Sequence, residues 1–89
     1  MADVIYKYGP ITPTMDYIVC RGVPLHVGIH IDDKIYVWCR LLCEIDEPDR
    51  KVKLVATGEP YIGPYVGSVI TRTGLVWHLI EYMADPYGN

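Results

Sequence analysis

In the stretch SVITRTGLVWHLIEY, residues 68–82, a serine and a histidine stand on either side of Arg72-Thr73-Gly74. A hydroxyl beside an imidazole is the beginning of a hydrolytic site, in which the imidazole takes the proton of the attacking oxygen. Gly74 suits the left-handed position of a three-residue hairpin loop. That loop sets Thr71 opposite Leu75, Val69 opposite Trp77, Ser68 opposite His78 and Gly67 opposite Leu79. A Ser68–His78 contact is therefore expected. A nucleophile also needs a group to orient its base and donors for the oxyanion, usually at a sharp turn. Ser68 lies mid-strand with no GxSxG-like elbow around it, and Ile70, Val76, Ile80 and Tyr82 share the face of His78. The expected role is a structural pair, a buried histidine satisfied by Ser68 or by a backbone carbonyl. A small hydrolase using Ser68 and His78 is the weakest reading, and no catalytic residue is assigned.

The other chemistry-bearing residues lead to similar conclusions. Cys39 and Cys43 are four residues apart in an expected strand, so their Cα atoms stand about 13 Å apart, beyond disulfide reach. With no signal peptide or transmembrane run in view, the three cysteines read as reduced, buried thiols in a cytoplasmic protein. His26 and His30 are likewise about 13 Å apart along one strand and cannot share a metal without another element. Asp32-Asp33 reads as a turn. No metal or cofactor is expected. The net charge is −3 with scattered Lys and Arg, which leaves no basic face for nucleic acid; no membrane partner is expected either.

The elements that must position these residues are strands. Short β-branched and aromatic runs are broken by Gly, Pro and Asp, and helix patterns are nearly absent. Strands are expected near 3–8, 14–20, 24–31, 35–45, 51–58, 65–71 and 75–83. They form a single all-β domain over residues 1–89, an antiparallel sandwich or partly open barrel of six to seven short strands with little or no helix. In the 24–45 region, Leu25, Val27, Ile29 and Ile31 alternate with polar positions, as do Ile35, Val37, Cys39, Leu41 and Cys43. A three-residue turn at Asp32, Asp33 and Lys34 would pair Ile31 with Ile35, Ile29 with Val37 and Val27 with Cys39, bringing the apolar rows onto one face. The opposite face would then hold Trp38 over Gly28, His26 near Arg40 and His30 near Tyr36.

Two loops are distinct. EIDEPDRKVKL combines a proline with clustered charges and reads as an exposed turn. TGEPYIGPYVG interleaves glycines and prolines with Tyr61, Ile62, Tyr65 and Val66. It lacks the Gly-Lys-Ser/Thr ending of a phosphate-binding loop and is the first candidate for a recognition surface. The chain is 51% hydrophobic and only 21% charged, with eight Tyr, two Trp and no Phe. Rings that carry a hydroxyl suit surfaces that are apolar on one side and wet on the other. Both faces of the last hairpin are apolar, so a second copy of the chain is expected to cover one of them.

The segments VIYKYGPI, GVPLHVGI, YVWCRLL, VATGEP and YVGSVITRTGLVWHLIEY together resemble an uncharacterised family of short phage and prophage proteins. That pattern has an aromatic-Lys-aromatic first strand, a Trp in a central strand, a Gly-rich loop and a Leu-Val-aromatic-His last strand. Tyr6, Lys7, Tyr8, Trp38, Thr57, Gly58, Tyr65, Gly67, His78 and Glu81 match it. Gly9 departs from it by separating the second aromatic from Pro10, which leaves the end of the first strand open. The resemblance implies an infected bacterial cytoplasm and carries no reaction with it.

Three functions are therefore weighed. The first is a non-catalytic, phage-type accessory binding protein, a homo-oligomer that engages a host protein and inhibits host defence. The second is a sponge for a nucleotide-like small molecule at a subunit junction. The third is the hydrolase. The candidate binding residues are Trp38, Arg40, Tyr61, Tyr65, His26 and Tyr36, with aromatic stacking and a cation as the physical basis.

Overall fold

The computed structural model describes residues 2–42 and 49–82. Its strands are β1 (Val4–Ile11), β2 (Ile18–Arg21), β3 (Val23–Ile29), β4 (Ile35–Leu41), β5 (Asp49–Ala56), β6 (Tyr65–Ile70) and β7 (Val76–Glu81). They form a three-stranded sheet in the order β1-β4-β3 and a four-stranded sheet in the order β2-β5-β7-β6, with every pairing antiparallel. The architecture is a small sandwich, not a closed barrel, and the described residues contain no helix.

Strict alternation builds the core. In β4, Ile35, Val37 and Cys39 are buried while Tyr36, Trp38 and Arg40 point the other way. Val27, Val37 and Cys39 of one sheet meet Cys20, Val52, Leu54, Val69 and Leu79 of the other in one cluster. Full burial of a Val, Leu or Ile side chain contributes about 1.5–3 kcal/mol, so these residues hold the two layers together. Cys39 gives a hydrogen bond to Cys20 across the layers; that bond and burial push the Cys39 thiol well above its ordinary range. Both thiols are free and buried, as expected of them, and Cys43 lies outside the described residues.

The chain changes sheets between β2 and β3 with a single residue, Gly22, at φ +95°. A Cβ there would stand 2.3 Å from the Arg40 carbonyl oxygen, so only glycine can pass this close to β4.

The last hairpin has the expected register: Gly67, Ser68 and Val69 face Leu79, His78 and Trp77, and Gly74 takes φ +90°. The β3–β4 hairpin does not. Ile35 pairs with Ile29 instead of Ile31, Val37 with Val27, and Trp38 with His26. Turn chemistry is the reason, because no glycine ends a tight Asp32-Asp33-Lys34 turn. The three-residue turn sits one position upstream instead, at Ile31-Asp32-Asp33, closed through His30 N–H to the Lys34 carbonyl (2.9 Å) and Asp33 N–H to the His30 carbonyl (2.9 Å). Asp33 adopts φ +63°, which aspartate tolerates, and the Asp32 carboxylate accepts from Lys34 N–H at 3.0 Å. The register slips by two residues, so the faces still coincide, but Ile31 is left 94% exposed. A bulge between Pro24 and His26 reverses the alternation upstream, burying Pro24 and exposing Leu25.

Strand limits differ at several ends. The second strand starts only at Ile18, after a turn in which Met15 N–H donates to the Thr12 carbonyl. The charged turn expected in EIDEPDRKVKL falls partly outside the described residues, and Asp49, Arg50 and Lys51 are already in β5. No helix among the described residues is long and apolar enough to cross a membrane.

Candidate functional site

β5 and β6 both run antiparallel to β7 and flank it, so they are parallel to each other. Residues 57–64, which join them, must therefore travel the length of β7 across the outer face of the four-stranded sheet. The passage begins in a turn at Thr57-Gly58, where Glu59 N–H donates to the Ala56 carbonyl (3.0 Å) and Ala56 N–H donates to Glu59 Oε1 (3.0 Å). It ends where Glu81 N–H donates to the Pro64 carbonyl at 2.9 Å. Val55 and Ile80 point away from the core between the sheets yet are only 2% and 0% exposed, on the face this crossover spans.

His78 lies beneath the crossover, half-buried, with both ring nitrogens engaged. Thr57 Oγ1 is 2.8 Å from Nε2 and Tyr65 Oη is 2.9 Å from Nδ1. A phenolic hydroxyl is a stronger donor than an aliphatic one, so the expected tautomer has Tyr65 donating to Nδ1 and the imidazole proton on Nε2 given to Thr57. In this tautomer the Thr57 oxygen receives a proton and is not primed for attack. The Tyr65 and His78 rings are 5.8 Å apart and those of Tyr61 and Tyr65 are 6.4 Å apart. Together with Val55, Ala56, Gly58 and Glu59 they line a shallow cavity of about 180 Å³.

The same face continues toward the start of β7's neighbours. Tyr17 and Tyr82 stack at 5.9 Å with an interplanar angle of 15°, with Lys51 Nζ 4.7 Å from the Tyr17 ring and Lys53 Nζ 5.4 Å from that of Tyr82. Tyr17, Tyr61 and Tyr65 are 39%, 46% and 51% exposed. One sheet face thus presents a row of tyrosines with two lysines at one end.

The remaining candidates occupy the opposite side of the molecule, the outer face of the three-stranded sheet. His26 meets Trp38 at 5.6 Å, beside Gly28, where a Cβ would stand 3.4 Å from the Trp38 ring. His26 therefore faces Trp38 and not Arg40; Arg40 is exposed across from Ile5 and Val23. His30 does meet Tyr36, edge-on at 5.6 Å. Tyr36 donates its hydroxyl to Asp32 Oδ2 at 2.6 Å, which holds the Asp32 carboxyl below its usual range and raises the Tyr36 hydroxyl, and Lys7 Nζ lies 4.6 Å from the Tyr36 ring.

The sequence-derived set is thus split. Tyr61 and Tyr65 lie together on one outer face, while Trp38, Arg40, His26 and Tyr36 lie on the other. Ser68 stands opposite His78 in register, as expected, but it is exposed, and the hydrogen bonds of His78 go to Thr57 and Tyr65. The expectation of a histidine satisfied by Ser68 is corrected here. Sequence reasoning missed Thr57 as the partner, since its approach depends on β5 pairing with β7 (Val55 opposite His78), a contact between segments far apart in the chain. Among the described residues no group of three or more His, Cys, Asp or Glu could hold a metal ion.

The chain belongs to a family defined as a domain of unknown function, DUF7352, whose model matches residues 1–87. No curated protein and no solved structure matches it.

Proposed function

We propose that this chain is a non-catalytic binding protein, a homo-oligomer of the phage accessory type, that engages a host protein through the tyrosine-lined outer face of the four-stranded sheet. The observation that carries this reading is the set of exposed rings on that face, with Tyr17 stacked on Tyr82, and Tyr61 beside a Tyr65 held by His78, whose other nitrogen is engaged by Thr57. Tyrosine supplies large contact area at low entropic cost and is enriched where proteins meet. A fixed imidazole that donates to Thr57 is scaffolding for such a surface, not a base. The resemblance to short phage proteins supports a bacterial host protein as partner, in the cytoplasm, with inhibition of a defence factor as the outcome.

The sponge reading is less well supported. Trp38 and Arg40 lie on one side of the sandwich and Tyr61 and Tyr65 on the other, so these four could surround a ligand only where opposite faces of two protomers meet. The test is capture from bacterial host lysate by the wild-type chain and by a Tyr17→Ser/Tyr61→Ser variant. A specific protein retained by the first and lost from the second is expected. No retained protein, or one held equally by both, overturns the reading.

A further inference from the structure

Each sheet of a sandwich ends in two edge strands, and proteins defend such edges against pairing with other chains. Each of the four edges among the described residues carries a defence, but not along the same share of its length. β2 is only four residues long, β3 contains Pro24 and a bulge, and β6 is broken by a register shift between Tyr65 and Gly67. β1 differs. From Val4 to Tyr8 it pairs regularly with β4 on one side, and its other side is a sheet edge. Its first interruption comes at Gly9 and Pro10, where proline has no N–H to offer. Along this edge Val4, Ile5 and Tyr6 are 36%, 62% and 47% exposed. Tyr6 is exposed although it stands opposite the buried Cys39 on the inner face of its sheet.

The sequence of the edge indicates what covers it. Two copies of one strand can pair antiparallel about a two-fold axis only if facing residues share pleat parity, so the axis passes through a residue. An axis at Lys7 would set lysine against lysine, and one at Tyr6 would set Lys7 against Ile5. An axis at Ile5 sets Asp3 of each copy against Lys7 of the other, Val4 against Tyr6, and Ile5 against itself. Of these registers, it alone joins opposite charges across the seam and matches apolar residues between them, and opposed cross-strand charges favour pairing.

We propose that β1 is the self-association surface, pairing antiparallel with β1 of a second copy about Ile5 to make one continuous six-stranded sheet. This deepens the homo-oligomer part of the function proposed above and rests on that part alone. Ile5 and Lys7 lie on the outer face of the three-stranded sheet, where they pair with Arg40 and Trp38, and Asp3 directly precedes the strand, so that extending β1 by one residue in the dimer would bring it to the same face. The dimer therefore brings the two Trp38–Arg40 patches onto one shared surface.

The test is sedimentation velocity of the untagged full chain over a concentration series, wild type beside D3K, K7D and the double variant D3K/K7D. The purified chain suffices, so failure to find a host partner has no bearing on the result. A wild-type dimer is expected, with dissociation about tenfold easier or more in each single variant, since two symmetric pairs turn repulsive together. The double variant should return to near wild-type affinity. A monomer at every concentration, a dimer indifferent to D3K, or a double variant no tighter than the singles overturns the proposal.

Discussion

At the scale of single residues, His78 shows how one ring can tie two connections of the chain together. Its two hydrogen bonds come from different connections, Thr57 from the turn after β5 and Tyr65 from the start of β6. Replacing Tyr65 by Phe leaves Nδ1 without its donor in a half-buried place and should cost about 1–2 kcal/mol in urea denaturation. The imidazole proton should reside on Nε2 in the wild type, read from the ¹⁵N shifts of the ring. A proton found on Nδ1 would reverse the donor assignment and return Thr57 to candidacy as a nucleophile. The types of these residues were legible in the sequence, as was the placing of Ser68 opposite His78. The partner was not, because a serine directly across a hairpin is a local inference, whereas Thr57 arrives through the pairing of Val55 with His78.

At the scale of elements, periodicity located all seven strands, and turn chemistry decided how well each was registered. Gly74 determined the β6–β7 loop and made its pairing readable. The β3–β4 loop has no glycine, and Asp33 took the left-handed position in a three-residue turn one position upstream of the expected one, which apolar alternation could not distinguish, since a slip of two residues in pairing preserves both faces. The β2–β3 junction was hidden for a different reason. Arg21 and Val23 belong to different sheets, and nothing in the local pattern marks Gly22 as the place where the chain passes against Arg40. Gly22→Ala forces a Cβ into that carbonyl and should cost on the order of 3 kcal/mol or more. Gly58→Ala, at φ +91° but with nothing within 4 Å, should cost only about 1–2 kcal/mol. Equal thermal unfolding of the two variants would show that backbone conformation, not close approach, governs the Gly22 position.

At the scale of the whole molecule, the all-β class was legible from composition and strand count, whereas strand count alone allowed either a sandwich or a partly open barrel. The division into sheets was not, because every sheet here joins strands that are distant in sequence: β1 with β4, β2 with β5, and β5 with β7. That division is what separates Tyr61 and Tyr65 from Trp38 and Arg40 and turns one imagined binding site into two surfaces. It also leaves the layers tied at a turn end by an ion pair between Arg72 and Asp33, both exposed. Such a pair adds little stability, so the sandwich depends on its core.

The crossover over β7 also carries a meaning in time. Its grip on His78 cannot exist until β5 and β6 have both flanked β7, so those contacts are expected in the final, downhill part of folding. Losing them should leave the speed of assembly untouched and shorten the life of the assembled state. Thr57→Val is accordingly expected to accelerate unfolding by nearly its whole equilibrium cost with an unchanged folding rate. A slowed folding arm in the chevron would instead place this corner in the nucleus. The crossover is thus expected to be the last part of the protein to form and the first to let go.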